Sequence, residues 1–168
     1  MVSQGTVRAA RPEDAEAFAA CHLECWREAY DGLWGPERLA EVDVAEMAQE
    51  RREQIEAGSA TNVLAELNGE VIGVAISGPS RDENPQVPEE VYAIYIRQEH
   101  YGSGLADDLL QATIGDRPAT LWVYRDNPRA AAFYMHRGFI QDGAERQDSE
   151  GILQVRMIRR TPFDASQA

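Results

Sequence analysis

The sequence predicts an α/β fold, or α+β by some conventions, with a mixed central sheet and helices on both faces. Two features predict it most directly. Asn68-Gly69 separates two β-like segments and supplies the positive φ angles of a tight hairpin turn, so the flanking strands are antiparallel. Residues 91–124 then read as strand, helix, strand, and such a βαβ unit places two strands in parallel. Together they require a mixed sheet.

The N-terminal half begins with a short strand followed by two helical stretches. Residues 6–8 form the strand, and Pro12 opens a helix that ends at Asp31-Gly32. A second helical stretch runs from Pro36 to Gly58, whose glycine is placed as a stop. The hairpin strands follow at residues 62–67 and 70–77.

The C-terminal half contains the βαβ unit and a final hairpin-like pair of strands. A loop rich in proline and glycine covers residues 78–88, and the predicted elements after it are strand 91–96, helix 105–114, strand 119–124, helix 127–137, strand 139–142 and strand 152–158. The full order is β-α-α-β-β-β-α-β-α-β-β. We expect one domain over residues 1–160 and a flexible C-terminal tail over 161–168.

The composition is that of a globular chain with a strongly acidic surface. Acidic residues number 29 and basic residues 16, which gives a net charge of -13. Because duplex binding depends on Lys and Arg that neutralise phosphates, we expect no nucleic-acid partner; the acidic balance mildly favours a cationic acceptor. The apolar runs are strand-sized and the N-terminus lacks a secretory pattern, so we predict no membrane segment and a cytoplasmic location.

The two cysteines and three histidines predict no metal site. Cys21 and Cys25 share one face of the first predicted helix, and we expect buried, reduced thiols. A structural zinc site requires four ligands, and beyond His22 only His100 and His136 remain, far along the chain. The histidines are expected at the surface or at an interface rather than in catalysis.

Two glycines between a predicted strand and a predicted helix form a candidate anion site. Residues 98–106 read Gln-Glu-His-Tyr-Gly-Ser-Gly-Leu-Ala. Such a turn lets amide N–H groups converge, and the N-terminus of the next helix carries partial positive charge. No Gly-Lys-Ser/Thr follows, and Asp107 replaces the third glycine of a dinucleotide site, so neither a P-loop nor a Rossmann site is predicted. Alone, the turn also fits a plain strand-to-helix connection.

A second chemistry-bearing segment lies in the last predicted helix. Helical spacing places Ala130 and Tyr134 one turn apart on the same face, so a phenol stands above a small residue. A thin ligand fits beside such a face. Taken alone, a tyrosine there is more often a half-buried aromatic.

Together the two segments resemble the two signature motifs of the GNAT acetyltransferases. The first is similar to the family's central strand and Arg/Gln-x-x-Gly-x-Gly/Ala turn, with Tyr101 where the family prefers Arg or Gln. The second, residues 127–139, is similar to the family's Asn-x-x-Ala-x-x-Phe-Tyr element with its Gly-Phe. Val7-Arg8 and residues 26–30 also resemble the family's start, so the likeness covers nearly the whole chain.

The resemblance implies an N-acyltransferase that transfers an acetyl group from acetyl-CoA to a primary amine by direct attack in a ternary complex, with CoA as product. It implies that the backbone of residues 94–97 binds the pantetheine arm, that the amides of residues 102–106 bind the pyrophosphate, and that Asn127 holds the arm from the other side. The cofactor-binding residues that it implies are Ile94, Tyr95, Ile96, Arg97, Tyr101, Gly102, Ser103, Gly104, Leu105, Ala106, Asn127, Ala130, Phe133 and Tyr134.

The implied reaction needs a proton acceptor and a proton donor. An alkylammonium has a pKa of about 10.4, so little free amine exists at neutral pH. Glu90 is the first candidate for the base and Glu89 the second, against the alternative of two solvated loop carboxylates. Tyr134 is the candidate acid for the departing thiolate, and the amide of Ile94 is the candidate donor to the oxyanion.

The acceptor site is predicted to be aromatic, and its ligand stays open. Aromatic faces bind either a cation or an apolar body, although at least half of these side chains are expected to pack the core instead; the candidates are Trp26, Tyr30, Trp34 and Tyr92. The acceptor is a small-molecule amine or a protein amine. Two other functions remain: an acyl-CoA-binding sensor or scaffold without turnover, and an acetyltransferase of protein N-termini or lysines. A homodimer is possible.

Overall fold

A computed structural model describes residues 5–164 of the chain; residues 1–4 and 165–168 lie outside the described part. Its strands are β1 (Thr6–Ala9), β2 (Thr61–Leu67), β3 (Glu70–Pro79), β4 (Glu89–Ile96), β5 (Ala119–Tyr124), β6 (Ile140–Gln147) and β7 (Leu153–Arg159). Its helices are α1 (Ala15–Ala29), α2 (Pro36–Ala40), α3 (Val44–Ala57), α4 (Leu105–Thr113) and α5 (Pro128–Met135). Short 3₁₀ turns precede α1 and α4.

The strands form one mixed sheet, which confirms the predicted fold class. The sheet has seven strands in the order β1-β2-β3-β4-β5-β7-β6. β4 and β5 pair in parallel, with Glu90 opposite Thr120, as the predicted βαβ unit requires. The pairs β1–β2, β2–β3, β5–β7 and β6–β7 are antiparallel.

The chain divides into two compact units, which we describe separately. The first unit comprises the residues up to Ser77 together with Ala93–Thr113, and the second comprises Gly78–Tyr92 together with the residues from Ile114 onward. Two of the three boundaries therefore fall within β3 and β4, and the third lies at the end of α4. One domain over residues 1–160 stays a prediction. In the expected tail, the amide of Phe163 donates to the carbonyl of Asp116 at 3.0 Å, so ordered contacts extend past residue 160.

Turn and cap residues explain where most helices and strands begin and end. They also show that the prediction of one helical stretch from Pro36 to Gly58 was wrong. Asn68 and Gly69 have φ values of 53° and 80°, as the predicted hairpin turn requires. The helical stretch predicted from Pro36 to Gly58 is two helices, α2 and α3. Asp43 separates them because its side chain accepts the amides of Ala45 at 3.0 Å and Glu46 at 3.1 Å, and this N-cap starts a new helix.

The first unit has a tightly packed apolar core between β2, β3, β4 and α4. Its buried members are Val63, Ala65, Ile72, Ala75, Ile96, Leu105 and Leu109. Gly73 is required where the backbones approach, because a Cβ there would lie 2.6 Å from Ile96 Cδ1 and 3.1 Å from the Tyr95 carbonyl oxygen. Each buried Leu, Ile or Val contributes about 1.5–3 kcal/mol of stability, so this core fixes the end of β4 and the start of α4.

The second unit is organised around a buried arginine. Arg159 is 2% exposed, and its guanidinium donates to the carbonyls of Gly115 at 2.8 Å, Arg117 at 2.8 and 3.2 Å and Arg137 at 2.9 Å. Burial lowers its pKa. These bonds satisfy carbonyls that follow α4 and α5, where helices leave C=O groups without partners. Arg159 thereby holds the chain after α4 to the end of α5.

None of the helices in residues 5–164 has the length and apolar character needed to span a bilayer.

Candidate active site

The predicted anion cradle is an open turn with two left-handed glycines. Gly102 and Gly104 have φ values of 79° and 89°, and a Cβ added to either would meet nothing within 4 Å. Within the described chain the turn's own bonds, from the Ser103 amide to the His100 carbonyl and from the Asp108 amide to the Gly104 carbonyl, both 3.2 Å, leave the two glycine amides unused. Open space, unused N–H groups and the positive end of α4 fit a pyrophosphate.

Side chains around the turn are anchored to the core of the first unit. Tyr101 and Ala106 pack against the apolar core cluster, and Leu105 belongs to it. The Ser103 hydroxyl accepts the Leu105 amide at 3.4 Å. Tyr101, which stands where the family prefers Arg or Gln, therefore has its ring turned toward the core, and the turn offers an anion mainly backbone groups.

The end of β4 also has its side chains occupied within the first unit. Ile94 packs against the core cluster, and Ile96 is buried in it. The Tyr95 hydroxyl lies 2.6 Å from that of Tyr30, and Arg97 Nε donates to Glu28 Oε1 at 2.8 Å. A ligand along residues 94–97 would therefore meet mainly backbone groups, of which the Arg97 amide already donates to the Ile72 carbonyl at 2.9 Å.

Helix α5 of the second unit presents the predicted tyrosine. Asn127 is its N-cap, with Oδ1 accepting the amide of Ala130 at 3.4 Å, and Ala130 and Tyr134 lie one turn apart. Tyr134 is 8% exposed and makes edge-to-face contacts with the rings of Phe133 at 5.1 Å and Phe139 at 5.7 Å. Packing thus fixes the orientation of the Tyr134 ring.

Glu90, the first candidate base, is a buried carboxylate held by one arginine. It is 1% exposed; Oε1 accepts the amide of Arg81 at 2.9 Å, and Oε2 accepts Arg81 Nε at 3.1 Å and Nη2 at 2.5 Å. The Arg81 guanidinium lies 4.1 Å from the centre of the Tyr92 ring. Glu89 instead pairs with Arg117, with two bonds of 2.9 Å. Glu90 is therefore not the solvated loop carboxylate of the alternative interpretation.

Three of the four predicted acceptor residues form one aromatic cluster in the first unit. Trp26 and Trp34 have ring centres 5.4 Å apart, and Tyr30 lies 4.5 Å from Trp34 and 6.0 Å from Tyr95. Tyr92 belongs to the second unit, where its hydroxyl donates to the Pro79 carbonyl. The aromatic surface predicted for the acceptor is therefore supplied by separate groups of residues.

The expectation that His22 lies at the surface or an interface of the chain was wrong. The side chain is 6% exposed, with its ring 4.4 Å from that of Trp26 and 5.2 Å from that of Tyr95. Neither ring nitrogen has a hydrogen-bond partner among residues 5–164. Burial, reinforced by the charge of Arg51, lowers the pKa of His22 to about 3, so the imidazole is neutral at physiological pH.

The prediction that both cysteines are buried thiols without a disulfide is confirmed. Cys21 and Cys25 are free and buried, with sulfur atoms 3.9 Å apart. The contact with Cys21 and burial raise the pKa of the Cys25 thiol, which keeps it protonated. In the described part of the chain, no three His, Cys, Asp or Glu side chains are arranged to hold a metal ion.

Comparison with known proteins establishes the family. The family description "Acetyltransferase (GNAT) domain" matches residues 13–161. The chain belongs to the GNAT acetyltransferase family. A probable N-acetyltransferase of Mycobacterium tuberculosis is 26% identical over 142 residues, which are 82% of this chain and 80% of that protein. An uncharacterized N-acetyltransferase of Bacillus subtilis, YuaI, is 30% identical over 131 residues, 73% of each chain.

Solved structures share the GNAT fold. The PaiA N-acetyltransferase of Thermoplasma acidophilum, in complex with coenzyme A, aligns with a TM-score of 0.69 at 16% identity, covering 91% of this chain and 98% of that one. A histone acetyltransferase HPA2-related acetyltransferase of Corynebacterium glutamicum aligns with a TM-score of 0.70 at 21% identity, covering 96% and 99%. At these identities the likeness establishes the fold.

Sequence reasoning missed two features of this GNAT chain. Arg81 lies in a loop rich in proline and glycine, where nothing in the sequence indicates that it holds Glu90. His22 lies one turn before Trp26 on α1, and that helical spacing was the one available signal that it faces the aromatic cluster.

Proposed function

We propose that this chain is an acetyl-CoA-dependent N-acetyltransferase that acylates a primary amine by direct attack in a ternary complex. The open double-glycine turn before α4 carries the proposal, because it joins unused amides, free space and a helix N-terminus in one place. Membership of the GNAT family, the names of the two relatives and the coenzyme A complex of the Thermoplasma structure support it.

Each part of the donor has matching groups in the chain. The amides of residues 102–106 would hold the pyrophosphate, and the backbone of residues 94–97 would pair with the pantetheine arm as an added strand does. Asn127 keeps its side-chain NH₂ for the arm, since Oδ1 accepts the Ala130 amide. Acetyl-CoA supplies the activated acyl group and a thiolate leaving group.

The proton acceptor in this proposal is Glu90. Burial keeps the carboxylate out of bulk solvent, and the three donors from Arg81 fix it while using three of its about four acceptor positions. The remaining position can accept a proton from the amine, directly or through a water molecule. Arg81, stacked on Tyr92, is thus a positioning residue for the base.

Glu90→Gln tests this assignment through the pH profile. The amide cannot take a proton, so kcat/KM should fall most at low pH and recover partly as rising pH deprotonates the amine in solution. The matched variant Glu89→Gln, whose carboxylate pairs with the exposed Arg117, should keep the wild-type profile. A uniform loss at every pH would show a binding role for Glu90, and an unchanged profile would remove it from proton transfer.

Gly104→Val tests donor binding directly. Saturating acetyl-CoA should raise the wild-type Tm, since a ligand at 100 times its Kd adds about 2.7 kcal/mol to the free energy of unfolding. A valine at φ 89° is strained and projects into the space offered to the phosphates, so the shift should disappear. Gly151→Val is the control, because Gly151 has φ 83° and equally open surroundings.

Two outcomes of the melting experiment would contradict the proposal. An unchanged wild-type Tm with both acetyl-CoA and CoA would show that the chain does not bind the donor. A ligand shift retained in Gly104→Val would show that the phosphates bind elsewhere. A cytoplasmic location, the absence of nucleic-acid partners, a homodimer and the choice between a small-molecule and a protein amine stay predictions.

A further inference from the structure

Arg146 is an arginine on β6 whose guanidinium is held in place by neutral groups. Its Nε donates to Oε1 of Gln154, its cross-strand partner on β7, at 2.7 Å. The guanidinium carbon lies 4.2 Å from the centre of the Trp122 ring, and Trp122 Nε1 donates to Asp82 Oδ1 at 2.9 Å. All four residues belong to the second unit, so contacts within that unit alone fix the position of the Arg146 guanidinium.

The outer edge of the Arg146 guanidinium has no protein partner. Within residues 5–164, neither Nη1 nor Nη2 makes a hydrogen bond, and no carboxylate forms an ion pair with it. Although the residue as a whole is exposed, loss of water around the stacked guanidinium lowers its pKa. A guanidinium with two free NH₂ groups matches a carboxylate in bidentate geometry.

The surrounding charges are already paired, which distinguishes Arg146 from its neighbours. The groups whose charge acts on it are Glu90, Arg81, Asp82 and Tyr124. Glu90 is bound by Arg81, and Asp82 is bound by Trp122 and by Arg156, which also binds Asp142. In a chain with 29 acidic and 16 basic residues, a stacked arginine left without a carboxylate indicates an anionic ligand.

We propose that Arg146 binds the carboxylate of the acceptor and that the acceptor is an amino acid or a similar amine that carries a carboxylate. This inference rests on the proposed function. Arg81 binds Glu90, the proposed base, and its sequence neighbour Asp82 accepts the indole N–H of Trp122, on which Arg146 stacks. One molecule can therefore place its amine at Glu90 and its carboxylate at Arg146. The net charge of -13 favours a cationic acceptor, but the free edge of the Arg146 guanidinium offers only donors and therefore favours an anionic group on that acceptor.

The experiment compares acids with their own amides. The probes are a pool of the nineteen standard amino acids other than cysteine, with β-alanine and 4-aminobutyrate, and a second pool of the corresponding amides, each with acetyl-CoA in a free-thiol assay. The amide removes only the carboxylate charge, and its amine is the weaker base, so unaided chemistry at neutral pH favours the amide pool. We expect the wild type to prefer the acid pool by about ten- to hundredfold in kcat/KM.

Two Arg146 variants and one control test whether the Arg146 guanidinium causes the preference for acids over amides. In Arg146→Gln the ratio of kcat/KM for acids to that for amides should fall to about one or below, mainly through a raised KM for the acids. In Arg146→Lys the ratio should be intermediate, because the charge remains without the planar guanidinium. Arg160→Gln removes the same charge from an exposed arginine that bonds Gln86, and it should keep the full preference. Wild-type Tm in Arg146→Gln would show that the fold is intact.

The outcomes separate this inference from the function on which it rests. Equal use of both pools, preference for the amides, or a full acid preference in Arg146→Gln would overturn it, and so would turnover of other amines with none of the acids. In each of these cases the Tm shift with CoA persists and the proposed function stands. If the wild type shows neither a Tm shift with CoA nor turnover of any amine, the proposed function and the inference about Arg146 are both overturned.

Discussion

Tyr134→Phe is expected to lower turnover by about 10²- to 10⁴-fold while CoA affinity and Tm stay near their wild-type values. The substitution keeps the ring, which packs edge-to-face against Phe133 and Phe139, and removes the hydroxyl that is proposed to protonate the departing thiolate. A contact made mainly in the transition state lowers kcat and kcat/KM together. Single-turnover rates and the CoA-dependent Tm shift measure the two effects separately.

A second tyrosine in the same unit provides the control. The Tyr124 hydroxyl donates to Asp148 Oδ2 at 2.8 Å, so Tyr124→Phe loses a structural hydrogen bond and should cost stability rather than rate. A rate loss below about threefold in Tyr134→Phe, measured where chemistry limits turnover, would mean that the thiolate leaves without this proton. A large fall in Tm would equally contradict the assignment, because it would reveal a structural role for the hydroxyl.

The free energy of unfolding is expected to fall as the pH drops below 6.5, because of His22. The unfolded chain takes up a proton on this residue below the ordinary pKa of 6.5, whereas the buried imidazole stays neutral down to about pH 3. Since the unfolded state binds more protons in this window, each pH unit can cost up to about 1.4 kcal/mol. Between pH 6.5 and 4.5 the loss should reach about 2–3 kcal/mol, measured by urea unfolding.

His22→Phe should flatten this dependence while keeping an aromatic ring beside Trp26. The slope of stability against pH is compared rather than stability itself, so a change in packing does not affect the result. His136→Gln, which removes an exposed histidine, should keep the wild-type slope. Asp14 contributes only below about pH 4, because the hydrogen bond from Arg8 lowers its pKa from 3.8 to about 2. The same slope in wild type and His22→Phe would contradict a buried neutral imidazole.

The parts of the fold that the sequence predicted depend on local rules. The Asn68-Gly69 turn, the Gly58 stop and the strand at residues 119–124 follow from backbone preferences and alternation within short segments. The missed break at Asp43 also had a local signal, since Asp followed three residues later by Glu46 is a helix-start pattern. Helical periodicity across the break concealed it.

The residues of the candidate site that could be predicted from the sequence are also those that depend on local features. Gly102, Gly104, Asn127 and Tyr134 lie in contiguous motifs, so their positions on a turn and a helix could be predicted from spacing. The Arg81–Glu90 pair crosses a loop, and Arg146 is defined by Trp122 and Gln154 on two other strands. Side-chain partners on different elements depend on the folded arrangement, which residue spacing does not encode.

The most direct test of acetyl transfer by this chain is amine-dependent release of CoA. Purified protein would be incubated with acetyl-CoA and with separate pools of polyamines, amino acids, aminoglycosides and peptides, with free thiol and N-acetyl product measured together by absorbance and mass spectrometry. Our account predicts thiol release that requires an amine, equals the N-acetyl product in amount, and falls about 10²- to 10⁴-fold in Tyr134→Phe. A chain that binds acetyl-CoA, as shown by a raised Tm, yet releases no thiol with any pool would contradict it and identify an acyl-CoA-binding module.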